Sequence, residues 1–296
     1  MKEYYAEFEQ YLSQAKKVSK NTLDSYLHDI GQYLAYLDTQ VCTPQAVTPK
    51  ALEDYIDTLK ESGRSASTIT RNVASIRCFY QFLIERGETD SNPAKLLKLD
   101  KAPKKLPQIL TGQEIEQLLA QPDIKDAKGC RDKAMLELLY ATGIRVSELI
   151  DLNIQDINLS RGLLFCRGGK SERAVPVYAA AISAVSDYIY RVRNLMITPE
   201  GGNALFINLN GTRLTRQGFW KIVKGYSEAA KIVKEITPHT LRHSFALHLL
   251  ENGADLKDIQ LMMGHADISS TQIYVQLLDN HFKEVYNNCH PRAKIG

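Results

Sequence analysis

Hydrophobic residues recur every three or four positions along the first hundred residues, which is the spacing of one face of an α-helix. Ser19 and the pair Thr48-Pro49 precede two of the apolar stripes as helix N-caps do, and Gly87 follows the last stripe as a helix terminator. The four stripes fall at residues 4–12, 23–37, 52–59 and 69–83. The pattern therefore predicts a small four-helix unit.

The segment after the fourth stripe loses this periodicity and becomes rich in proline and lysine. The heptapeptide KAPKKLP at 101–107 holds two prolines and three lysines, a composition typical of an extended basic linker. Thr111 and Glu114 have the spacing of a capping box, so a second unit is expected to begin there. We predict a helical domain over 1–98, a basic linker over 99–110 and a second domain over 111–296.

The second domain combines the helical pattern with short apolar runs. Runs at 163–167 and 174–177 lie on either side of Gly168-Gly169, which predicts a β-hairpin. A run at 204–207, followed by an Asn-Gly turn, predicts a third strand. A helical stripe at 182–192 lies between them. The predicted fold class is mainly α with a small β-sheet, a helical N-terminal domain being followed by an α+β domain.

Length and composition narrow the class of protein. The 296 residues, 44% of them hydrophobic, are enough for two domains with cores of their own. A net charge of +3 only weakly indicates an anionic partner. It is compatible with DNA binding, because a DNA-binding protein can concentrate its positive charge on one face. The five cysteines are scattered and lack CxxC spacing, which favours a reducing compartment over a zinc site. Without a signal-peptide pattern or a membrane-spanning run, we expect a cytoplasmic protein.

Three short motifs carry the candidate chemistry. They read ATGIRVSEL at 141–149, PHTLRHSFA at 238–246 and MMGHADISSTQIY at 262–274. In the second motif, His239 and Arg242 share a face of the first helical turn, where free backbone N–H groups attract anions. A capped surface helix with an incidental histidine and arginine is the alternative. The nearby His243 and His248 are expected to be structural or surface residues.

The other two motifs have ordinary explanations when each is taken alone. Arg145 follows a helix-ending glycine, and it can project into a cleft, form a salt bridge with Glu148, or do both. His265 could be a loop histidine bonded to backbone, and Tyr274 could be one core tyrosine among the 15 of the chain. Taken together, two arginines, two histidines and a tyrosine suit the attack of a phenol on a phosphodiester, with guanidinium groups holding the negative charge.

These motifs, in this order, resemble those of the tyrosine recombinases, most closely the Xer-type recombinases. The sequence HPRA at 290–293 is similar to the C-terminal end of the same subgroup, and the resemblance spans nearly the whole chain. It implies a helical core-binding domain joined to an α+β catalytic domain. The roles it implies are a nucleophile at Tyr274, phosphate-binding arginines at Arg145 and Arg242, proton or hydrogen-bond exchange by His239 and His265, and orientation of Arg145 by Glu148. It implies neither a cofactor nor a metal.

The family also carries a lysine in a hairpin turn, within the pattern G-K-G-x-K-E-R-x-V-P. The corresponding stretch here is RGGKSERAVP at 167–176, which is shortened and has glycine where the first lysine usually stands. Lys170 is the lysine that remains in this turn, and we assign to it the protonation of the leaving 5′-oxygen. An exposed hairpin lysine without a catalytic role is the alternative.

Candidate DNA contacts lie at two helix starts and in the linker. Helix starts commonly read bases in the major groove, whereas linker lysines contact phosphates without sequence preference. The candidates are Arg64, Thr68 and Arg71 in the first domain, Thr215, Arg216 and Gln217 in the second, and Lys101, Lys104 and Lys105 in the linker. Helix capping and solvated charge are the alternative for each helix start.

The resemblance implies double-stranded DNA with an inverted-repeat site as substrate, and strand exchange through a Holliday junction. It also implies a homo- or hetero-tetramer with a related recombinase, in which the C-terminal helix docks on a neighbouring protomer, and a DNA translocase as a candidate activator. Chromosome dimer resolution is the expected task, and an integrase of a mobile element with the same chemistry is the alternative. A type IB topoisomerase and a DNA-binding protein without cleavage activity fit less well, because the Xer-like tail favours protomer assembly and the tyrosine and both arginines are intact.

Overall fold

A computed structural model describes residues 1–97, 107–167, 172–265, 270–275 and 277 of the chain. The chain divides into two compact units, residues 1–104 and 105–296. The expected linker lysines and Lys170 lie outside the described residues.

The first unit contains four long helices, as the apolar stripes predict. They are α1 (Lys2–Gln10, continued by the π-helical segment Tyr11–Ala15), α2 (Lys20–Thr39), α3 (Pro49–Glu61) and α4 (Ala66–Glu85). Ser19 and Thr48 cap α2 and α3 by accepting hydrogen bonds from Thr22 N–H at 3.3 Å and Ala51 N–H at 3.2 Å. The core is rich in aromatic rings, and the hydroxyls of Tyr33 and Tyr80 satisfy each other at 2.7 Å.

The second unit is built around the helix Ala127–Thr142, most of whose residues are buried. It begins with α5 (Gly112–Leu119), whose N-cap Thr111 forms the predicted capping box with Glu114. The other helices are α6 (Ala127–Thr142), α7 (Val146–Asp151), α8 (Ala179–Asp187, continued by the π-helical segment Tyr188–Arg193 and by α9, Asn194–Met196), α10 (Arg216–Ala229), α11 (Pro238–Glu251) and α12 (Leu256–Met263). Helix α6 packs against α8 and α11. Leu110, the last residue of the expected linker, is fully buried in this unit and donates its N–H to Ser244 at 2.9 Å.

The small sheet is antiparallel and has the order β1-β2-β3. Its strands are β1 (Ile157–Asn158), β2 (Leu163–Cys166) and β3 (Arg173–Pro176). Strands β2 and β3 form the predicted hairpin, in which Cys166 is paired with Arg173. The prediction of a third strand at 204–207 is wrong, because these residues form only isolated bridges and are all buried, without the alternation of a strand.

A small separate apolar cluster joins the last described helices. Phe245 of α11 packs there with Ile259 and Met263 of α12 and with Tyr274, which lies in the helical residues 272–275. This cluster places the third sequence motif against the second.

Candidate active site

Helix α11 brings His239 and Arg242 to the site on its first turn. Thr237 precedes the helix, and its N–H donates to the hydroxyl of Thr240 at 2.9 Å, which fixes the helix start. His239 is exposed to solvent, whereas Arg242, one turn further into the protein, is only 3% exposed. Desolvation of the ring, together with the charges of Arg242 and Arg216, lowers the pKa of His239.

Arg242 is a buried cation held by backbone carbonyls. Its Nη1 donates to the carbonyl of Gly143 and its Nη2 to the carbonyl of Met263 at 2.7 Å. Among the described residues, no carboxylate forms a salt bridge with it. Burial, and then the neighbouring charge of Arg145, lower the pKa of Arg242 to about 10, so the guanidinium remains protonated at neutral pH. A buried charge of this kind attracts an anion strongly.

Arg145 stands at the junction between α6 and α7. Gly143 ends α6 in a left-handed conformation with a φ of 57°. The N–H of Arg145 then donates to Oε2 of Glu148 at 2.7 Å, which fixes the start of α7. Its Nη2 donates to the carbonyl of Gly264 at 2.9 Å, while its Nη1 lies 3.6 Å from Oε1 of Glu148. The side chain is 41% exposed and so remains open to a ligand.

Arg173 is a member of the site that the sequence reasoning did not single out. It is the first residue of β3, and its side chain is 10% exposed. Its Nη1 and Nη2 donate to the two carboxylate oxygens of Glu148 at 2.8 and 3.0 Å, and its Nε donates to the carbonyl of Met262 at 2.7 Å. In the sequence, the arginine of the pattern E-R-x-V-P at 172–176 is the signal that could have pointed to this residue.

Three successive carbonyls at the end of α12 therefore accept hydrogen bonds from three different arginines. Those of Met262, Met263 and Gly264 accept from Arg173, Arg242 and Arg145, respectively. The last carbonyls of a helix have no partner within the helix and carry the negative end of its dipole, so they are suited to hold cations. The end of α12 therefore brings three guanidinium groups from distant parts of the chain together through neutral hydrogen-bond acceptors.

Tyr274 lies against the second and third motifs with its hydroxyl enclosed. The side chain is 1% exposed, and its hydroxyl is 2.9 Å from Nδ1 of His243. Burial raises the pKa of the Tyr274 hydroxyl to about 12. Burial also lowers the pKa of His243 to about 4, so this ring is neutral at pH 7. His243, which was expected to be a structural or surface residue, is thus the hydrogen-bond partner of the phenol in this structure.

His265 is joined to the Tyr274 segment through Thr271. Nδ1 of His265 is 2.9 Å from the hydroxyl of the buried Thr271, and the N–H of Tyr274 donates to the Thr271 carbonyl at 3.0 Å. Burial and the charge of Arg242 lower the pKa of His265 to about 4. Of the expected catalytic residues, the described part of the chain thus brings together both arginines, His239, His265, Glu148 and Tyr274.

The candidate DNA contacts of the first unit lie at the start of α4. Arg64 is exposed, and the hydroxyl of Thr68 is 2.9 Å from the hydroxyl of the N-cap Ser65. Arg71 forms a bidentate ion pair with Asp29, at 2.9 and 2.8 Å, and Asp29 is 1% exposed. Arg71 therefore has a structural partner, although 43% of its side chain is exposed.

The candidate contacts of the second unit lie at the start of α10. Thr215 caps this helix by accepting from Gly218 N–H at 3.0 Å, and Arg216 and Gln217 are exposed. The charge of Arg216 contributes to the lowered pKa of His239, which places this helix start near the site.

The described residues offer neither a metal cluster nor a membrane-spanning helix. No three His, Cys, Asp or Glu side chains among them are grouped so that they could hold a metal ion. No helix in this part of the chain is both long and apolar enough to cross a membrane.

Comparison with known proteins identifies two matching family models. Residues 108–281 match the phage integrase family, and residues 6–87 match the phage integrase N-terminal SAM-like domain. A tyrosine recombinase XerD of Halalkalibacterium halodurans is 45% identical over 279 residues, which is 93% of each chain. A tyrosine recombinase XerD of Oceanobacillus iheyensis is 45% identical over 99% of this chain and 100% of its own.

Solved structures show the same fold. The XerH recombinase bound to a palindromic difH substrate is 21% identical, with a TM-score of 0.75 over 96% of this chain and 84% of that one. A lambda integrase dimer bound to a COC′ core site is 18% identical, with a TM-score of 0.73 over 93% and 94% of the two chains. The predicted arrangement of a helical domain followed by an α+β domain with a small sheet is confirmed.

Proposed function

The chain belongs to the phage integrase family of tyrosine recombinases, enzymes that cleave and rejoin DNA, and we propose that it does so with Tyr274 as its nucleophile. The observation that carries this proposal is the convergence of Arg145 and Arg242 on neighbouring carbonyls at the end of α12, a helix whose last residue shares an apolar cluster with Tyr274. A phosphodiester bound by both guanidinium groups would lie close to the phenol.

Both arginines act on the charge of the reacting phosphate. As Tyr274 attacks, negative charge accumulates on the non-bridging oxygens, and the guanidinium groups stabilise it with charge-assisted hydrogen bonds. Because the carbonyls of Gly143, Met263 and Gly264 already orient them, little reorganisation is needed during the reaction. His239 and His265, whose pKa values are lowered, offer neutral rings that hydrogen-bond the phosphate at neutral pH.

The covalent step conserves the phosphodiester energy. The phenolic oxygen forms a bond to phosphorus, the bond from phosphorus to the 5′-oxygen breaks, and a 3′-phosphotyrosyl enzyme and a 5′-hydroxyl result. The phenolic proton passes to His239 or His265, whose rings are neutral at pH 7, and Lys170 donates a proton to the leaving oxygen. A 5′-hydroxyl from another strand reverses these steps and releases the tyrosine.

Tyr274 must leave its enclosed position to react. At 1% exposure, and with its hydroxyl bonded to His243, the phenol cannot meet a DNA phosphate where it lies. We propose that assembly on DNA moves the segment around residues 270–275 so that the hydroxyl turns towards the two arginines.

DNA binding and assembly complete the proposal. Arg64, Thr68 and Arg71 contact DNA from the first unit, Thr215, Arg216 and Gln217 contact it from the second, and Lys101, Lys104 and Lys105 contact phosphates between them. Four protomers, of one or two related kinds, join two duplexes with inverted-repeat sites and exchange strands through a Holliday junction. A DNA translocase or another protein activates this assembly.

Resolution of chromosome dimers is the favoured task. Relatives named XerD match between 93% and 99% of the chain at 45% identity, which supports an Xer-type role. Solved integrases of the Tn1549 transposon are 21–24% identical, a likeness that concerns the fold alone.

The test uses nicked suicide duplexes, which trap the covalent adduct because the cut fragment diffuses away. The duplexes carry inverted-repeat sites found beside the gene and at the chromosome terminus, and the readout is a protein–DNA band that resists denaturant. We expect a band from the wild type and none from Tyr274→Phe, with unchanged DNA affinity. Tyr188→Phe is the matched control, because Tyr188 is another fully buried tyrosine of the second unit.

Three outcomes separate the proposals. An adduct from Tyr274→Phe would remove the assignment of the nucleophile. Tight binding without adduct from the wild type would contradict cleavage by this chain alone, and a repeat with a related recombinase would then test for a required partner. The duplex that gives the band distinguishes dimer resolution from integration.

A further inference from the structure

Glu148 lies between two arginines and is bound unequally by them. Both of its carboxylate oxygens accept hydrogen bonds from Arg173, at 2.8 and 3.0 Å, whereas the guanidinium of Arg145 comes no closer than 3.6 Å. The only short contact from Arg145 is its backbone N–H, at 2.7 Å. The negative charge of Glu148 is therefore directed to Arg173.

This pairing matters for the charge of Arg145. A carboxylate that formed a two-pronged pair with Arg145 would neutralise it and would occupy the N–H groups that a phosphate needs. With both oxygens of Glu148 bound to Arg173, the guanidinium of Arg145 instead donates to the neutral carbonyl of Gly264 and meets Glu148 only at 3.6 Å. Arg242 is held by neutral carbonyls in the same way.

We propose that Arg173 is a positioning residue that engages Glu148, so that the guanidinium of Arg145 stays free for the DNA phosphate. The proposal rests on the phosphate-binding role of Arg145 proposed above. The Nε, Nη1 and Nη2 of Arg173 all donate to Met262 or Glu148, so its guanidinium is already occupied within the protein. It acts through Glu148 and through the end of α12.

The geometry around Arg173 holds it firmly in this position. The guanidinium lies against Gly264, and a Cβ at that position would be only 2.7 Å from Nη1 and 2.8 Å from Cζ of Arg173. Its Nε reaches the carbonyl of Met262 at 2.7 Å. A shorter or uncharged side chain cannot make all three contacts, because only guanidinium offers a planar fork together with a third N–H.

Arg173 also connects the hairpin to the rest of the site. It is paired with Cys166 in the sheet and is only three positions from Lys170 in the sequence. Strand β3, which follows Lys170 in the sequence, is thereby fastened to the same helix end that holds Arg145 and Arg242.

The test compares Arg173→Gln, Glu148→Gln and the double variant in the full-length protein. The measured quantities are the single-turnover rate of adduct formation on the suicide duplex, the DNA affinity, and stability from the fluorescence of Trp220, the single tryptophan. We expect Arg173→Gln to slow adduct formation by about a hundredfold, as misplaced catalytic groups do, with little change in DNA affinity. In the double variant, the neutral amide at position 148 forms no ion pair with Arg145. We therefore expect the double variant to form adduct at least about tenfold faster than Arg173→Gln.

A second substrate separates charge from general disruption. A methylphosphonate at the scissile position replaces one charged oxygen by a methyl group and so reduces the demand on Arg145. We expect the defect of Arg173→Gln to shrink on this substrate. Arg193→Gln is the matched control, since Arg193 is 4% exposed, also binds backbone carbonyls, and does not contact Glu148.

Two results would overturn the inference. One is a double variant no faster than Arg173→Gln, with equal defects on both substrates, which would make Arg173 purely structural. The other is a wild-type rate for Arg173→Gln. If Arg145→Ala itself forms adduct at the wild-type rate, the proposed role of Arg145 fails, and this result is distinct from a failure of Arg173 alone.

Discussion

Replacement of Gly264 by alanine tests whether the end of α12 organises the site. Gly264 has a φ of 63°, a left-handed conformation that costs a residue with a Cβ about 1–2 kcal/mol. The added methyl would also lie within 2.8 Å of the Arg173 guanidinium, which must then move. Loss of one hydrogen bond to a charged group costs about 1.5–3 kcal/mol, so we expect a total loss of about 2.5–5 kcal/mol in the free energy of unfolding.

Gly253 provides a matched control in the same unit. It has a φ of 88°, and a Cβ built on it has no atom within 4 Å. Gly253→Ala therefore carries the conformational cost of about 1–2 kcal/mol without the collision. The difference between the two variants isolates the contact with Arg173.

Urea unfolding followed by the fluorescence of Trp220 measures both variants, since Trp220 belongs to α10 of this unit. Adduct formation on the suicide duplex is measured under conditions where both variants are folded. We expect Gly264→Ala to be slower than Gly253→Ala by at least about tenfold, or about 1.4 kcal/mol in the barrier. Equal stability losses and equal rates would refute the idea that Arg173 packed on Gly264 supports the site.

Three further results are expected. Lys170→Ala should slow cleavage and should be rescued by a 5′-phosphorothiolate, a better leaving group, and a lack of rescue would remove its role as proton donor. The pKa of His243 is about 4 in the folded state and about 6.5 in the unfolded state, so the free energy of unfolding should fall as the pH drops from 6.5 to 4. In urea titrations at several pH values, His243→Gln should reduce this dependence on pH. An unchanged dependence would contradict the buried neutral ring. Arg71→Ala leaves Asp29 buried and should destabilise the first unit by about 2 kcal/mol, whereas Arg64→Ala should not; equal thermal unfolding of the two variants would argue against a structural ion pair.

Periodicity and capping chemistry predicted most of the helical framework, because both are local. The capping box of Thr111 and the left-handed terminator Gly143 are properties of a few adjacent residues, and the structure has both where they were expected. The strand predicted at 204–207 failed for the opposite reason. Its four residues are buried by the surrounding core, and an apolar run alone cannot distinguish a strand from a buried loop.

The site divides in the same way between local and distant information. The motif residues could be named from their own short segments, but their partners lie elsewhere in the chain. Arg173 reaches Glu148 across 25 positions and Met262 across 89, and His243 reaches Tyr274 across 31. No pattern in one segment signals such pairs, so the sequence indicated the candidate reactive groups but not the residues that hold them.

The apolar cluster shared by Tyr274 and Met263 links the state of the tyrosine to the helix end that holds the arginines. The end of α12 thus binds guanidinium groups through its carbonyls and also contributes Met263 to the apolar cluster that contains Tyr274. In the proposed mechanism, a movement of Tyr274 out of this cluster would therefore also affect the helix end that holds Arg145 and Arg242. By the same proposed mechanism, a single protomer bound to DNA keeps Tyr274 buried, and cleavage follows assembly with other protomers that take part in religating the ends.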